Sequence, residues 1–378
     1  GIPEEAARRA GRPAVLLSQR RARRNIRAMA DKARRLGLSF RPHFKSHQSL
    51  EVGGWFRDAG VRSIAVSSLE MARYFISDGW TDITLAIPLN PRQLSLARDL
   101  CARAELGFAV DSEEALRALG RMPARRRPAV WLELDCGDGR TGVRWDDGPL
   151  LERLAETASA EGLRLAGVLS HAGQTYAAAG PSGVLEAHGT AMERLETALE
   201  ALGDRAEGME VSWGDTPSCR LADGFGPATE LRPGNFVFFD LMQLMLGSCN
   251  PEEIAVSVLC PVISSRPEEG RAVLYGGAVH LSKEYLTLDG TRVYGALASP
   301  DSASPFEPDL SLPLVRLSQE HGVVTAPGAG LRVGDLVSVV PVHSCLACDL
   351  YPEYILEEGG VVGRMASCRG GVGCEPSF

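Results

Sequence analysis

Lys45 stands in Arg41-Pro42-His43-Phe44-Lys45-Ser46-His47, two residues from a histidine on either side. An amine that is partly desolvated loses proton affinity and becomes a nucleophile toward an aldehyde. A solvated lysine in a polar turn has the same composition, so the segment gains meaning only from its companions. In Glu133-Leu134-Asp135-Cys136-Gly137-Asp138-Gly139-Arg140-Thr141-Gly142 an arginine sits on a glycine-rich loop. Its fork suits a phenolate or carboxylate, and the carboxylates around it lack EF-hand spacing. Ser170-His171-Ala172-Gly173-Gln174-Thr175-Tyr176 offers His171 and Tyr176 for stacking or acid–base work, although a lone histidine is more often structural. The turn Ser212 to Ser218 contains Thr216, and Glu230 to Asn235 ends in Gly234 and Asn235. A hydroxyl and bare amides of this kind suit a phosphate, and either turn taken separately is ordinary.

A further pair lies near the end of the chain. His343 and Cys345, two apart after Pro341-Val342, can face one side and suit a soft divalent ion such as zinc. Cys348 completes a CxxC with Cys345, readable as a third ligand or a redox pair. There is no second CxxC and no thioredoxin-like surrounding, and an inert buried Cys345 fits the spacing equally well.

The elements that must carry these groups alternate. Strand-like runs are expected at Leu38–Arg41, Ser63–Val66, Ile83–Ile87, Leu106–Val110, Val130–Asp135, Leu165–Ser170, Met209–Trp213 and Phe236–Phe239. Helices are expected between them, among them Leu69–Ser77, Pro91–Ala102, Ser112–Leu119, Leu150–Ala160 and Gly183–Leu202. Eight such units close a (β/α)8 TIM-type barrel, with the polar clusters at the strand ends where a barrel keeps its site. After about Leu246 the texture becomes all-β, with strands at Ala255–Ile263, Arg271–Leu274, Leu314–Leu317, Val323–Ala326, Leu336–Val340 and Val361–Ala366. Leu288–Asp309, rich in Asp, Ser, Pro and Gly, reads as an extended loop. The division is therefore a barrel over residues 1–246 and an all-β C-terminal domain over 247–378. The strand Ala14–Leu17, ahead of a basic helix at Arg20–Leu36, is a candidate to join that second domain.

Composition narrows the class. With 44% hydrophobic and 23% charged residues over 378 the chain is globular, and its formal charge of −8 provides no field for nucleic acid or an anionic membrane. The arginine runs at Arg20, Arg21, Arg23 and Arg24 and at Arg125–Arg127 read as solvated surface. No apolar run of about 18 residues and no signal-like start are present, so a cytoplasmic protein is expected. Nine scattered cysteines fit reduced thiols.

The segments RPHFKSH, the glycine-arginine loop, SHAGQTY, GDTPS, ELRPGNFVFFD, SQEHG and PVHSC occur in this order from about Ala14 to Cys345. Together they resemble the fold-type III pyridoxal-phosphate enzymes of the D-threonine aldolase and metal-dependent D-serine dehydratase family, relatives of alanine racemase. The resemblance implies Lys45 as the Schiff-base lysine, Arg140 near the cofactor's phenolic oxygen and His171 against its pyridine ring. It also implies Tyr176 near the cofactor, Thr216, Gly234 and Asn235 on the phosphate, and His343 and Cys345 on a divalent metal, zinc or manganese. The chain departs from the pattern where many members carry Asp-x-Gly-x-Lys. Here stand Tyr275-Gly276-Gly277-Ala278-Val279-His280, and Ser46 and Gln48 replace a threonine and a lysine. The function implied is a metal-assisted lyase for a β-hydroxy-D-amino acid, a homodimer acting on a small molecule, with Lys45 and His171 as its catalytic groups. A pyridoxal-phosphate racemase and a non-catalytic pyridoxal-phosphate-binding protein are the alternatives.

Overall fold

The computed structural model of the chain describes residues 1–123, 127–298 and 303–365. Arg125, Arg126 and the glycine-rich tail lie outside the described residues. The chain divides into two compact units. The first comprises Ala28–Lys45 and Phe56–Gly234, and the second comprises Gly1–Arg27, Ser46–Trp55 and the chain from Asn235 onward. The division falls earlier than the expected boundary after residue 246. Asn235 and Asp240 hydrogen-bond to Ser344, which draws this stretch into the second unit.

The first unit is a near-closed parallel barrel. Its strands are Ser39–Phe40, Ser63–Val66, Asp82–Pro88, Glu105–Val110, Ala129–Asp135, Arg164–His171, Glu210–Gly214 and Glu230–Leu231. In space the last strand pairs with the first, Glu230 opposite Ser39 and Leu231 opposite Phe40. The remaining gap is bridged by His43, paired in parallel with Ala65, whose amide donates to the Pro42 carbonyl at 3.0 Å. The segment that ends in Lys45 is thus the seam of the barrel.

Local chemistry sets the helices between strands. The Ser68 hydroxyl accepts from the Met71 amide at 3.0 Å and starts Leu69–Ile76, which buries Leu69, Met71, Ala72, Phe75 and Ile76. Asp147 caps Gly148–Ala160 in the same way, with Pro149 in the first turn. Inside the sixth strand Gly167 is obligatory, because a β-carbon there would lie 1.9 Å from the Glu210 carbonyl oxygen.

The expected eighth strand is corrected. Phe236–Phe239 is not a strand; Asn235–Val237 forms a 3-10 turn and Phe239 has φ 51. Its four apolar residues imitate a buried strand in sequence, whereas the true partner, Glu230–Leu231, contains a carboxylate that only burial against Arg41 explains.

The second unit holds a nine-stranded sheet. Ala14–Leu17 lies inside it, antiparallel to Val256–Arg266 and parallel to Glu353–Leu356. The expected loop Leu288–Asp309 is also corrected. It includes the strands Thr291–Val293 and Gly295–Ala298, the latter between Leu336–Pro341 and Pro308–Leu317. Short strands of glycine and alanine leave almost no alternating signal. Of the first arginine run, Arg20 and Arg24 are exposed as expected but Arg21 is not. Its buried guanidinium binds Glu307 at 2.8 Å and the Pro251 and Ile254 carbonyls. Seven cysteines are described, all as free thiols. Among the described residues no helix is long and apolar enough to cross a membrane.

Arg41 is the barrel's largest electrostatic commitment. It reaches Glu230 at 2.9 Å and Asp82 at 2.6 Å, with side chains 9%, 2% and 47% exposed respectively. Glu230→Ala leaves a buried guanidinium without its buried partner, and breaking such a pair costs about 3–5 kcal/mol. The loss is expected in denaturant unfolding; a change below about 1 kcal/mol would show that the pair does not hold the seam.

Candidate active site

Lys45 lies in a single 3-10 turn, Phe44–Ser46, directly after the seam. Phe44 anchors it, packing its ring within 4.9 Å of Phe56 and Phe75 and 5.1 Å of Trp80. The neighbouring phenylalanine is fully buried while Lys45 is half-buried, so the amine is held at the inner edge of an apolar plug. His43 Nδ1 accepts from the Lys45 amide at 3.2 Å, fixing the turn.

Electrostatics tie the other groups to this lysine. Burial, then the charges of Lys45, Arg232, His171 and Arg140, push His43 well below its ordinary pKa. His171 is lowered likewise by burial, then by Lys45, Arg140 and Arg232. Both imidazoles are therefore neutral at pH 7, and three cations share their surroundings. The His171 and Tyr176 rings are 6.2 Å apart at their centroids. Tyr176 accepts from the Thr216 amide at 3.3 Å.

Thr216 begins the helix Thr216–Leu221, capped by Asp215, whose carboxylate takes the Ser218 amide at 2.6 Å and the Thr175 hydroxyl at 3.1 Å. The Thr216 hydroxyl oxygen is buried with no hydrogen-bond partner. A dry hydroxyl next to Tyr176, in the unit that holds these cations, fits an anionic group such as the phosphate of pyridoxal phosphate. The first unit thus brings together Lys45, Arg140, His171, Tyr176 and Thr216, and its last residue is Gly234.

Sequence reasoning passed over Arg232, which is buried in this unit and donates to Ser212 Oγ at 3.1 Å and the Ser170 carbonyl at 2.8 Å. It also gave His43 no separate role. Arg232 stood inside the ELRPGN segment, and its offset of two from buried Glu230 along an extended stretch was the available signal.

In the second unit His343 and Cys345 flank Ser344 at the start of a short helix, Ser344–Cys348. His343 Nδ1 lies 3.3 Å from Asp240 Oδ2, and the Cys345 thiol donates to Ser46 Oγ at 3.0 Å. Burial lowers the affinity of His343 for its proton, but the Cys345 sulfur and the Asp240 carboxylate outweigh it and hold the imidazole at about 10. A field that retains a proton this firmly also favours a cation bound to the same atoms.

Asp240 engages Nδ1, which sets the tautomer that presents Nε2 to an ion. An imidazole and a thiol with a carboxylate behind them fit a borderline-soft divalent metal. Asp240 is the residue the sequence missed here, because it follows the segment misread as a strand. Asn235 donates to Asp240 at 2.7 Å and Ser344 at 3.0 Å, so its side chain is committed in this unit and its main-chain amide is what remains for an anion. Burial pushes the Cys348 thiol up to about 12, which disfavours a thiolate ligand. Among the described residues no group of three or more His, Cys, Asp or Glu is arranged to hold an ion. His280, in the stretch that departs from the family pattern, packs its ring 5.2 Å from Tyr275 and lies 3.8 Å from Glu320.

The chain is similar to known proteins in sequence and in fold. The family described as alanine racemase, N-terminal domain, matches residues 17–241, and that described as putative serine dehydratase domain matches residues 255–356. The D-threo-3-hydroxyaspartate dehydratase of Delftia sp. HT23 is 33% identical over 356 residues, 90% of this chain and 93% of the relative. The D-serine dehydratase of Dictyostelium discoideum is 26% identical, covering 90% of this chain and 92% of that protein. The D-threonine aldolase of an Arthrobacter species is 26% identical, covering 95% and 92%.

The solved structure of the Delftia dehydratase superposes with a TM-score of 0.84 at 31% identity, over 93% of this chain and 97% of that one. A variant of that dehydratase has been solved in a form described as metal-free. Alanine racemase of Clostridium difficile, at 12% identity and a TM-score of 0.64 over 94% of this chain and 99% of that one, is alike in fold alone.

The donor set gives a direct expectation. Chelator-treated protein should take up about one zinc or manganese ion per chain, and His343→Ala or Cys345→Ala should weaken uptake at least about tenfold. Calorimetric titration measures both; equal affinity in the two variants would exclude the pair as ligands.

Proposed function

The chain belongs to the alanine racemase N-terminal domain family, and from that membership we propose that it is a pyridoxal-phosphate-dependent, metal-assisted lyase acting on a β-hydroxy-D-amino acid. The observation that carries the reading is the convergence in the barrel of one half-buried lysine, two neutral imidazoles, two further cations and an unpartnered threonine hydroxyl. Pyridoxal phosphate, when bound, supplies the electron sink that stabilises charge at the substrate's α-carbon.

Each residue then has a task. Lys45 holds the cofactor covalently, and Thr216 with the amides of Gly234 and Asn235 holds its phosphate. Arg140 neutralises its phenolic oxygen, and the neutral His171, with Tyr176 beside it, lies against its ring. His343 and Cys345 hold the divalent ion, zinc with manganese as the alternative, whose Lewis acidity suits a departing β-hydroxyl.

Dehydration is favoured over aldol cleavage by the 33% identical Delftia relative, a dehydratase. For that reaction Lys45 Nζ, set free when the substrate's amine takes its place on the cofactor, would be the base that takes the proton from Cα. Cleavage of Cα–Cβ needs the proton of the β-hydroxyl removed instead, a task open to His171 because burial and its cationic neighbours keep the ring unprotonated.

Three measurements test the reading. Borohydride treatment and peptide mapping should label Lys45; label on Lys283 instead would exclude the assignment. With D-serine, D-threonine, D-3-hydroxyaspartate and D-alanine, keto acid and ammonia are expected from a hydroxy substrate. Glycine and aldehyde would select the aldolase, and L-alanine the racemase. Chelation should abolish turnover while preserving cofactor content and the unfolding temperature. Full activity in metal-free protein would remove the ion from the reaction.

A further inference from the structure

Glu133 has no place in the scheme above, yet it is a carboxylate 4% exposed on the fifth barrel strand. Its Oε1 accepts from the Thr141 hydroxyl at 2.8 Å, and its Oε2 is buried with no hydrogen-bond partner. A dry carboxylate oxygen is costly unless a donor completes it in some state of the protein. Burial raises the proton affinity of Glu133, Asp111 adds to this, and Thr141, Arg232 and Arg140 oppose it, so two guanidinium groups lie within electrostatic reach.

The two are not equivalent. Arg232 is buried and already donates to Ser212 and Ser170. Arg140 is 54% exposed and only loosely paired with Asp138 at 3.6 Å. The main chain around it is pinned. Asp135 Oδ1 takes the amides of Gly137 at 2.8 Å and Gly139 at 3.0 Å, while Asp111 takes the amide of Gly142 at 3.1 Å. The glycines at 137, 139 and 142 have φ of 132, 69 and 99, a conformation that lets the loop fold back over the strand end. The loop is therefore fixed while the guanidinium retains its freedom to turn, and Thr141 connects it to Glu133.

We propose that Glu133 is a positioning residue for Arg140. Its Oε2 accepts the Arg140 guanidinium when an anionic ligand draws that side chain into the barrel, so that Arg140 is held between the ligand oxygen and a buried carboxylate. The inference rests on the reading of pyridoxal phosphate as that ligand.

The test is a double-mutant cycle on cofactor affinity, titrating pyridoxal phosphate into the cofactor-free full chain and following protein fluorescence. Glu133→Gln keeps an acceptor for Thr141 and removes the charge. It should weaken binding at least about tenfold, and should weaken it no more than about twofold further once Arg140 is already alanine. Its unfolding temperature without cofactor should match the parent's, which a purely structural role would not allow.

Thr141→Ala, on the exposed side of the loop, gives a second variant should Glu133→Gln fail to fold. It should weaken binding about threefold, and this loss too should vanish with Arg140→Ala. Unchanged affinity in either variant, or losses that add to that of Arg140→Ala, would overturn the inference alone. A parent protein that binds no pyridoxal phosphate would overturn the cofactor reading and this inference with it.

Discussion

The barrel depends on one buried ion pair. Arg41 leaves the first strand, meets Glu230 of the last at 2.9 Å and reaches Asp82 of the third at 2.6 Å. Glu230 also accepts from Ser212 at 2.7 Å, Ser212 accepts from Arg232, and Arg232 donates to the Ser170 carbonyl. A continuous chain of charge-assisted bonds therefore joins the seam to the strand ends from which His171 and Thr216 project. Such a chain is costly to desolvate and costly to leave incomplete, so it favours one register of the closing strands over its neighbours. Lys45 inherits its position from that choice, four residues after Arg41 and one after the buried Phe44.

The site in the barrel is built from cations and neutral donors with few balancing carboxylates. Burial, reinforced by Lys45, Arg140 and Arg232, depresses both nearby imidazoles. Such a surplus awaits an anion, and a ligand carrying both a phosphate and a phenolic oxygen would supply it. Glu133 is a buried carboxylate among these cations, joined through Thr141 to the arginine loop, where a countercharge steadies the donor.

The second unit uses the opposite electrostatics. Asp240 is fully buried and accepts from the Asn235 side chain, the Ser344 amide and the Gln243 amide, while its carboxylate also faces His343. A buried carboxylate facing an imidazole favours positive charge at that ring. The two units therefore differ in the charge they place around a buried imidazole, cations around His43 and His171 in the barrel and a carboxylate beside His343 in the sheet domain.

Much of this was legible in the residues. Lys45 between histidines, Arg140 on its glycine loop, Thr216 after Asp215 and the His343–Cys345 pair are local patterns, and local patterns survive in sequence because chain neighbours set them. The alternation of strands and amphipathic helices marked the barrel for the same reason. What the chain order concealed was everything decided by distant partners. Glu230–Leu231 is a strand because Arg41 neutralises its carboxylate; Phe236–Phe239 is not one despite its apolar run. Gly295–Ala298 is a strand by virtue of its neighbours in the sheet, and Arg21 is buried because Glu307 and two carbonyls receive it. Asp240, Arg232 and Glu133 became functional candidates only when folding placed a charge or a vacant donor position beside them. Sequence determined which groups were available and on which elements, since those follow from covalent spacing and backbone preference. Tertiary structure decided which charges were buried together, since desolvation depends on what surrounds a group in space.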